Sequence, residues 1–280
     1  MKKVVLSVVA ALAVSTAVPA FAADMPVKAA KVVAAPAPSP FDIAFGTAFT
    51  TDYVLRGISQ SNRKPAVQGY FELDYTATDW VKFYAGIWGS SLYGGFADAE
   101  FDISGGARFT WGNFGLDVGY VQYEYPEGTQ NGAGSFGEFY AKPSYKFTDW
   151  LTVGAIIDGG GNFNDGLNIV GSKGAYYYSG NAVITLPWSP AGIAISLNPE
   201  IGRQVYDCTT VNGVACSSYT YWDVGLDFNY KAVTLDLRYW DTDAHNKAQF
   251  ISPAAYGAKD LAGSTFVATL KFDTSLSALK

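Results

Sequence analysis

His245 is the single imidazole among 280 residues, and it lies beside Asp243 and Asn246. A Ser/His nucleophile pair or a His/Asp dyad of a hydrolase could therefore be built only around this one position. No set of side chains has zinc-ligand spacing, and Gly159-Gly160-Gly161 follows a strand-like stretch with no helix behind it, so it is no phosphate loop. The sequence assigns no catalytic residue, no metal and no cofactor, and the expectation is a non-enzyme. The remaining chemistry is electrostatic, carried by acids spaced two residues apart such as Glu72/Asp74 and Glu100/Asp102, and covalent, carried by Cys208 and Cys216.

The elements that position these groups begin with an export signal. Lys2 and Lys3 form a positive n-region, Val4 to Ala17 is apolar, and Ala20-Phe21-Ala22 offers small residues at both recognition positions of a cleavage site. Residues 1–22 are expected to be removed. Without Lys2 and Lys3 the chain carries 17 basic against 25 acidic residues, a net of −8, which argues against nucleic acid as a partner. Export also places the two cysteines in an oxidising compartment, where the default is one local Cys208–Cys216 disulfide worth about 2–3 kcal/mol by chain entropy. Residues 23–40, rich in Ala and Pro, read as a periplasmic linker.

From Phe41 to Phe272 apolar and polar residues alternate in about twelve stretches, the mark of strands with two unlike faces. Phe71, Leu73 and Tyr75 oppose Glu72 and Asp74; Phe101 and Ile103 oppose Glu100 and Asp102; Leu235 and Leu237 oppose Asp236 and Arg238. Over these stretches no charged residue falls on an apolar face, as expected if that face meets lipid, where a charge costs about 2–4 kcal/mol at the midplane. No later run approaches the roughly 20 apolar residues of a spanning helix. Aromatics at 16% and 30 glycines also suit strands better than helices.

Connections alternate between tight (Thr78-Asp79, Gly112-Asn113, Thr148-Asp149, 187–192, Lys231-Ala232) and mostly longer, the pattern of short periplasmic turns and longer external loops. Trp80, Trp111, Trp150 and Trp188 sit beside the tight turns, where indole suits a membrane interface. The string Thr-Asp-Trp occurs at 78–80 and again at 148–150, read as reuse of one turn. The expected fold is all-β, a transmembrane antiparallel up-and-down barrel over 41–272 with a C-terminal extension at 273–280.

One motif stands out: Thr51-Asp52-Tyr53-Val54-Leu55-Arg56-Gly57-Ile58-Ser59-Gln60-Ser61, then Pro65-Ala66-Val67-Gln68-Gly69, then Tyr84-Ala85-Gly86-Ile87-Trp88-Gly89-Ser90. Over residues 50–91 the chain resembles the TorF-type proteobacterial porin family, which carries D-Y-x-x-R-G-x-S-Q, P-A-x-Q-G and Y-A-G-x-W-x-S in this order. The resemblance implies an outer-membrane barrel. One departure is the C-terminus, where Phe272 is followed by residues 273–280 instead of ending the chain.

Alternation assigns about twelve acids to the lumen (Asp42, Glu72, Asp74, Glu100, Asp102, Asp117, Glu138, Asp158, Glu200, Asp223, Asp227, Asp236) and about six bases (Lys82, Arg108, Lys142, Lys146, Arg238, Lys271). Asp52 and Arg56 continue the luminal face of the first strand toward the outer mouth, either as a charged gate or as an ion pair holding the first loop. The selectivity set is Asp52, Arg56, Glu72, Asp74, Glu100, Asp102 and Arg108. The expectation is a passive channel in the bacterial outer membrane for small hydrophilic solutes, mildly cation-preferring, with outer-membrane lipid and the barrel-assembly machinery as partners and a homo-oligomer left open. The alternatives are a closed structural or surface-receptor barrel and, more remotely, an outer-membrane hydrolase.

Overall fold

The computed structural model describes residues 39–93, 97–126, 135–159, 175–206, 210–211, 214–215 and 217–279. The expected export signal, most of the expected linker, and both cysteines of the expected disulfide lie outside the described residues.

Twelve strands form one closed barrel. They are β1 (Phe41–Thr50), β2 (Ala66–Thr78), β3 (Val81–Ser91), β4 (Ala99–Trp111), β5 (Phe114–Glu124) and β6 (Phe136–Thr148). The second half is β7 (Leu151–Gly159), β8 (Ala175–Thr185), β9 (Ala194–Tyr206), β10 (Tyr219–Tyr230), β11 (Val233–Thr242) and β12 (Thr265–Ser275). Each strand pairs antiparallel with its neighbour in sequence, and β12 closes on β1 with Ala44 opposite Ser275 and Phe49 opposite Leu270. Helix is confined to three short 3₁₀ turns among the described residues.

The expected faces are observed. Large apolar side chains point out and stay exposed, among them Phe139, Ile201 and Phe266, whereas Glu72, Glu100, Asp102, Glu138, Asp223 and Asp236 point in and are buried. The barrel is packed on the inside, with one buried cluster near the long-loop end formed by Tyr177, Tyr219, Tyr221 and Phe250, and another formed by Tyr84, Val121, Tyr123 and Tyr140. An outward apolar face and an inward polar one have the opposite sense to a soluble sandwich.

The strands run further than alternation alone suggested, and this changes two details. β5, β9 and β11 extend toward the long loops and carry Glu124, Arg203 and Asp241 onto the outward face. These charges stand in the last turns of their strands, where a charge costs only about 0–1 kcal/mol, and Arg203 donates to Thr220 Oγ1 at 2.9 Å. The barrel also does not stop at Phe272: β12 continues to Ser275, and Leu276 N donates to Ile43 O at 2.9 Å.

The tight turns are one residue later than expected at two places, Asp79-Trp80 and Asp149-Trp150, because each preceding strand runs on to its threonine. Both have a register irregularity, at Thr76/Thr78 and Lys146/Thr148, and both use the threonine hydroxyl to accept the tryptophan N–H, at 3.3 and 3.4 Å. The repeated Thr-Asp-Trp is thus one bulged turn built twice. Trp80, Trp111, Trp150 and Trp188 are all exposed at this end, with Trp80 and Trp111 stacked at 5.9 Å.

Candidate functional site: a hairpin in the barrel lumen

The first long connection does not lie over the rim. Val54–Leu55 pairs with Ile58–Ser59 as a minimal hairpin whose two-residue turn is Arg56-Gly57, with φ of 50° and 81°. Positive φ at both central positions is the geometry of a type I′ turn, which matches the twist of the flanking strands. Glycine suits the second position for a further reason: a Cβ there would stand 2.6 Å from Tyr221 Cβ and 2.8 Å from Thr242 Cγ2.

The base of the hairpin is tied by Asp52. Its Oδ1 accepts from Ser59 Oγ at 2.6 Å and Ser61 Oγ at 2.9 Å, and its Oδ2 meets Arg63 Nη1 at 3.3 Å. Burial pushes the Asp52 carboxyl up, against these hydroxyls and the Arg63 charge that pull it down. Tyr53 Oη donates to Glu100 Oε1 at 3.2 Å. The last long loop, 243–264, clamps the same segment from outside: Ser59 N donates to Leu261 O at 2.9 Å and Arg63 Nη2 to Gly263 O at 2.6 Å.

The tip reaches across the lumen. Arg56 gives its two terminal nitrogens to both oxygens of Glu138, at 3.1 and 2.7 Å, and adds Asp158 Oδ2 at 2.8 Å and Gln204 Oε1 at 2.9 Å. Its Cζ lies 4.1 Å from the centroid of the Tyr177 ring. Burial opposes the charge on Arg56, but Glu138, Tyr123 and Asp158 outweigh it and hold the guanidinium charged, well above its ordinary range.

Asp52 and Arg56 do not pair with each other; each finds other partners. Glu72, Asp74 and Arg108 form a single cluster, with Arg108 Nη1 at 2.9 Å from Glu72 and 3.2 Å from Asp74, and its Nε at 3.3 Å from Asp117. Glu100 and Asp102 stand apart from it. Glu100 Oε2 and Asp102 Oδ1 are buried with no hydrogen-bond partner among the described residues. A further cluster joins Arg238 to Asp223, to Asp236 at 3.3 Å and to Asp227 at 4.0 Å, and Lys271 to Asp236 at 3.0 Å. Sequence reasoning placed Glu138 and Asp158 on the wall without joining them to Arg56, and passed over Gln204 and Tyr177. Period-two parity carried to the ends of β8 and β9 would have turned both inward.

His245 is exposed at the long-loop rim. Its Nε2 lies 2.6 Å from Asp241 Oδ1, whereas Asp243 accepts from Thr220 N. Among the described residues no group of three or more His, Cys, Asp or Glu side chains is placed to hold a metal ion.

These features define a closed β-barrel of the outer-membrane type with its first loop folded inward. Residues 34–273 match the Gcw_chp family, described as bacterial protein of unknown function, and the chain belongs to that family. A structure from a study of in-meso crystallization of membrane proteins aligns over 85% of this chain and 84% of its own at TM-score 0.50 and 11% identity. An outer-membrane channel from Pseudomonas putida F1 aligns over 86% and 97% at TM-score 0.49 and 12% identity. The NanC porin aligns over 83% and 98% at TM-score 0.46 and 11% identity. At these identities the likeness is one of fold. No curated protein matches the sequence.

Proposed function

We propose that the protein is an outer-membrane channel for passive diffusion of small hydrophilic solutes, with the Val54–Ser59 hairpin as its constriction and a mild preference for cations. The carrying observation is the inverted barrel itself: exposed apolar side chains outside, buried charges inside, and a charged hairpin tip bonded across the lumen to the opposite wall. The TorF-type resemblance over residues 50–91 supports this reading, since its most distinctive motif is the segment that forms the hairpin. Residues 1–22 direct export, the barrel-assembly machinery inserts the chain, and lipid surrounds it. Acids outnumber bases on the luminal face, and charges inside a low-dielectric wall are screened less than in bulk. His245 lies outside the lumen and has no nucleophile assigned to it, so the reading is not enzymatic; His245→Ala should leave conductance unchanged.

The test is planar-bilayer recording of the refolded protein. Discrete steps are expected, larger when residues 54–59 are replaced by a short Gly/Ser linker. A second reading, a closed structural or surface-receptor barrel, is favoured by the dense packing of the hairpin against Tyr177 and Tyr221. No steps over many insertions, in the wild type and in the hairpin-less variant alike, would establish it in place of the channel.

A further inference from the structure

We propose that the cradle now filled by Arg56 is a binding site for solutes bearing a guanidinium group, and that such a solute displaces the hairpin tip. The displacement half deepens the channel reading; the binding half stands without it.

The cradle fits a planar, delocalised cation and little else. Glu138 meets the guanidinium edge with two parallel hydrogen bonds, Asp158 and Gln204 take further N–H groups, and Tyr177 covers the face. A bidentate carboxylate with an aromatic platform distinguishes guanidinium from a simple ammonium. Its walls belong to β6, β7, β8 and β9, and they are held independently of the hairpin. Tyr123 Oη donates to Glu138 Oε2 at 3.2 Å, and Gln204 Nε2 donates to Tyr176 O at 3.3 Å. The cradle therefore persists when the tip leaves.

Two further observations point to an exchangeable occupant. Arg56 sits at a φ of 50°, where Asn or Gly would serve the turn better, so the turn alone does not account for an arginine there. Two wall carboxylates, Glu138 and Asp158, also face the one guanidinium, at 2.7 and 2.8 Å. Asp158 is buried, and its Oδ1 has no hydrogen-bond partner among the described residues. Lys142 also acts electrostatically on Asp158. A tethered Arg56 behaves as an internal ligand with an effective concentration on the order of mM, strong enough to fill the site at rest and weak enough for a free solute to compete.

The experiment uses the full chain folded in detergent or nanodiscs, with methylguanidinium and its neutral isostere methylurea as probes in calorimetry. Arg56→Asn preserves the turn and vacates the cradle. It should bind methylguanidinium about tenfold more tightly than the wild type and methylurea not at all, and adding Glu138→Gln should abolish the gain. Equal binding of the two probes to folded Arg56→Asn, or no gain over wild type, overturns the proposal. If that variant does not fold, the wild type decides: methylguanidinium, unlike methylurea, should speed amide hydrogen exchange at Leu55 and Ile58, and equal rates with both probes overturn the proposal. Binding without conductance would sink the channel reading and leave the site; conductance without binding would sink the site alone.

Discussion

Arg238 shows what a single residue does in this interior. It is buried among Asp223, Asp227 and Asp236, so its removal leaves several carboxylates facing one another out of water. Breaking such a buried group by taking one partner costs about 3–5 kcal/mol. Arg238→Ala should lower the urea midpoint of the folded barrel, read by heat-modifiable gel mobility, and an unchanged midpoint would show that the acids are solvated in place. The acid pairs differ for the same reason. Glu72 and Asp74 are already answered by Arg108, whereas Glu100 and Asp102 each have one buried oxygen with no hydrogen-bond partner among the described residues. Glu100→Gln with Asp102→Asn should therefore move the reversal potential in a salt gradient toward zero, and Glu72→Gln with Asp74→Asn should move it less. If the second pair dominates, the ordering of these charges by their partners is wrong. That Glu72, Asp74, Glu100 and Asp102 all face inward was legible from parity alone, because neighbours in a strand alternate; which of them meet a cation was not, because Arg108 is 36 residues from Glu72 in the chain.

At the scale of the element, each strand is specified by which face it offers to lipid, and this is why the sequence revealed the strands so fully. Leu270, mid-strand in β12, is exposed on the outward face. Leu270→Arg should cost about 2–4 kcal/mol, measured by reversible unfolding in lipid vesicles, whereas Arg203→Leu near the end of β9 should change stability little. Comparable costs at the two sites would mean that depth does not set the energy. The hairpin at Val54–Ser59 is the element that period-two reading could not supply. Alternation predicts that Asp52 and Arg56 turn inward, but it carries no information on how far a connection dips. The partners of Arg56 lie 82, 102 and 148 residues away, beyond the reach of any local pattern. The one local signal was Arg-Gly between Val54-Leu55 and Ile58, the chemistry of a tight reversal.

The barrel is a ring, and its seam joins its first strand to its last. Thr50 Oγ1 and Thr269 Oγ1 touch at 2.9 Å although 219 positions separate them, and Ser277 N donates to Asp42 Oδ1 at 3.0 Å. The tail after Phe272 therefore belongs to the closure, contributing the pairings of Asp273, Thr274 and Ser275 with Gly46, Phe45 and Ala44. Deleting residues 273–280 should slow the appearance of the compact gel band during refolding more than it lowers final stability; an unaltered rate would place the slow event elsewhere. Loop-closure entropy rises with the span to be closed, and contacts of such long range delay folding. A growing chain of this kind has two unmatched edges until its last strand is made, each a template for another chain. Its history thus has a before and an after with little between: eleven strands are an open, adhesive ribbon, and the twelfth turns that ribbon into an object without a boundary.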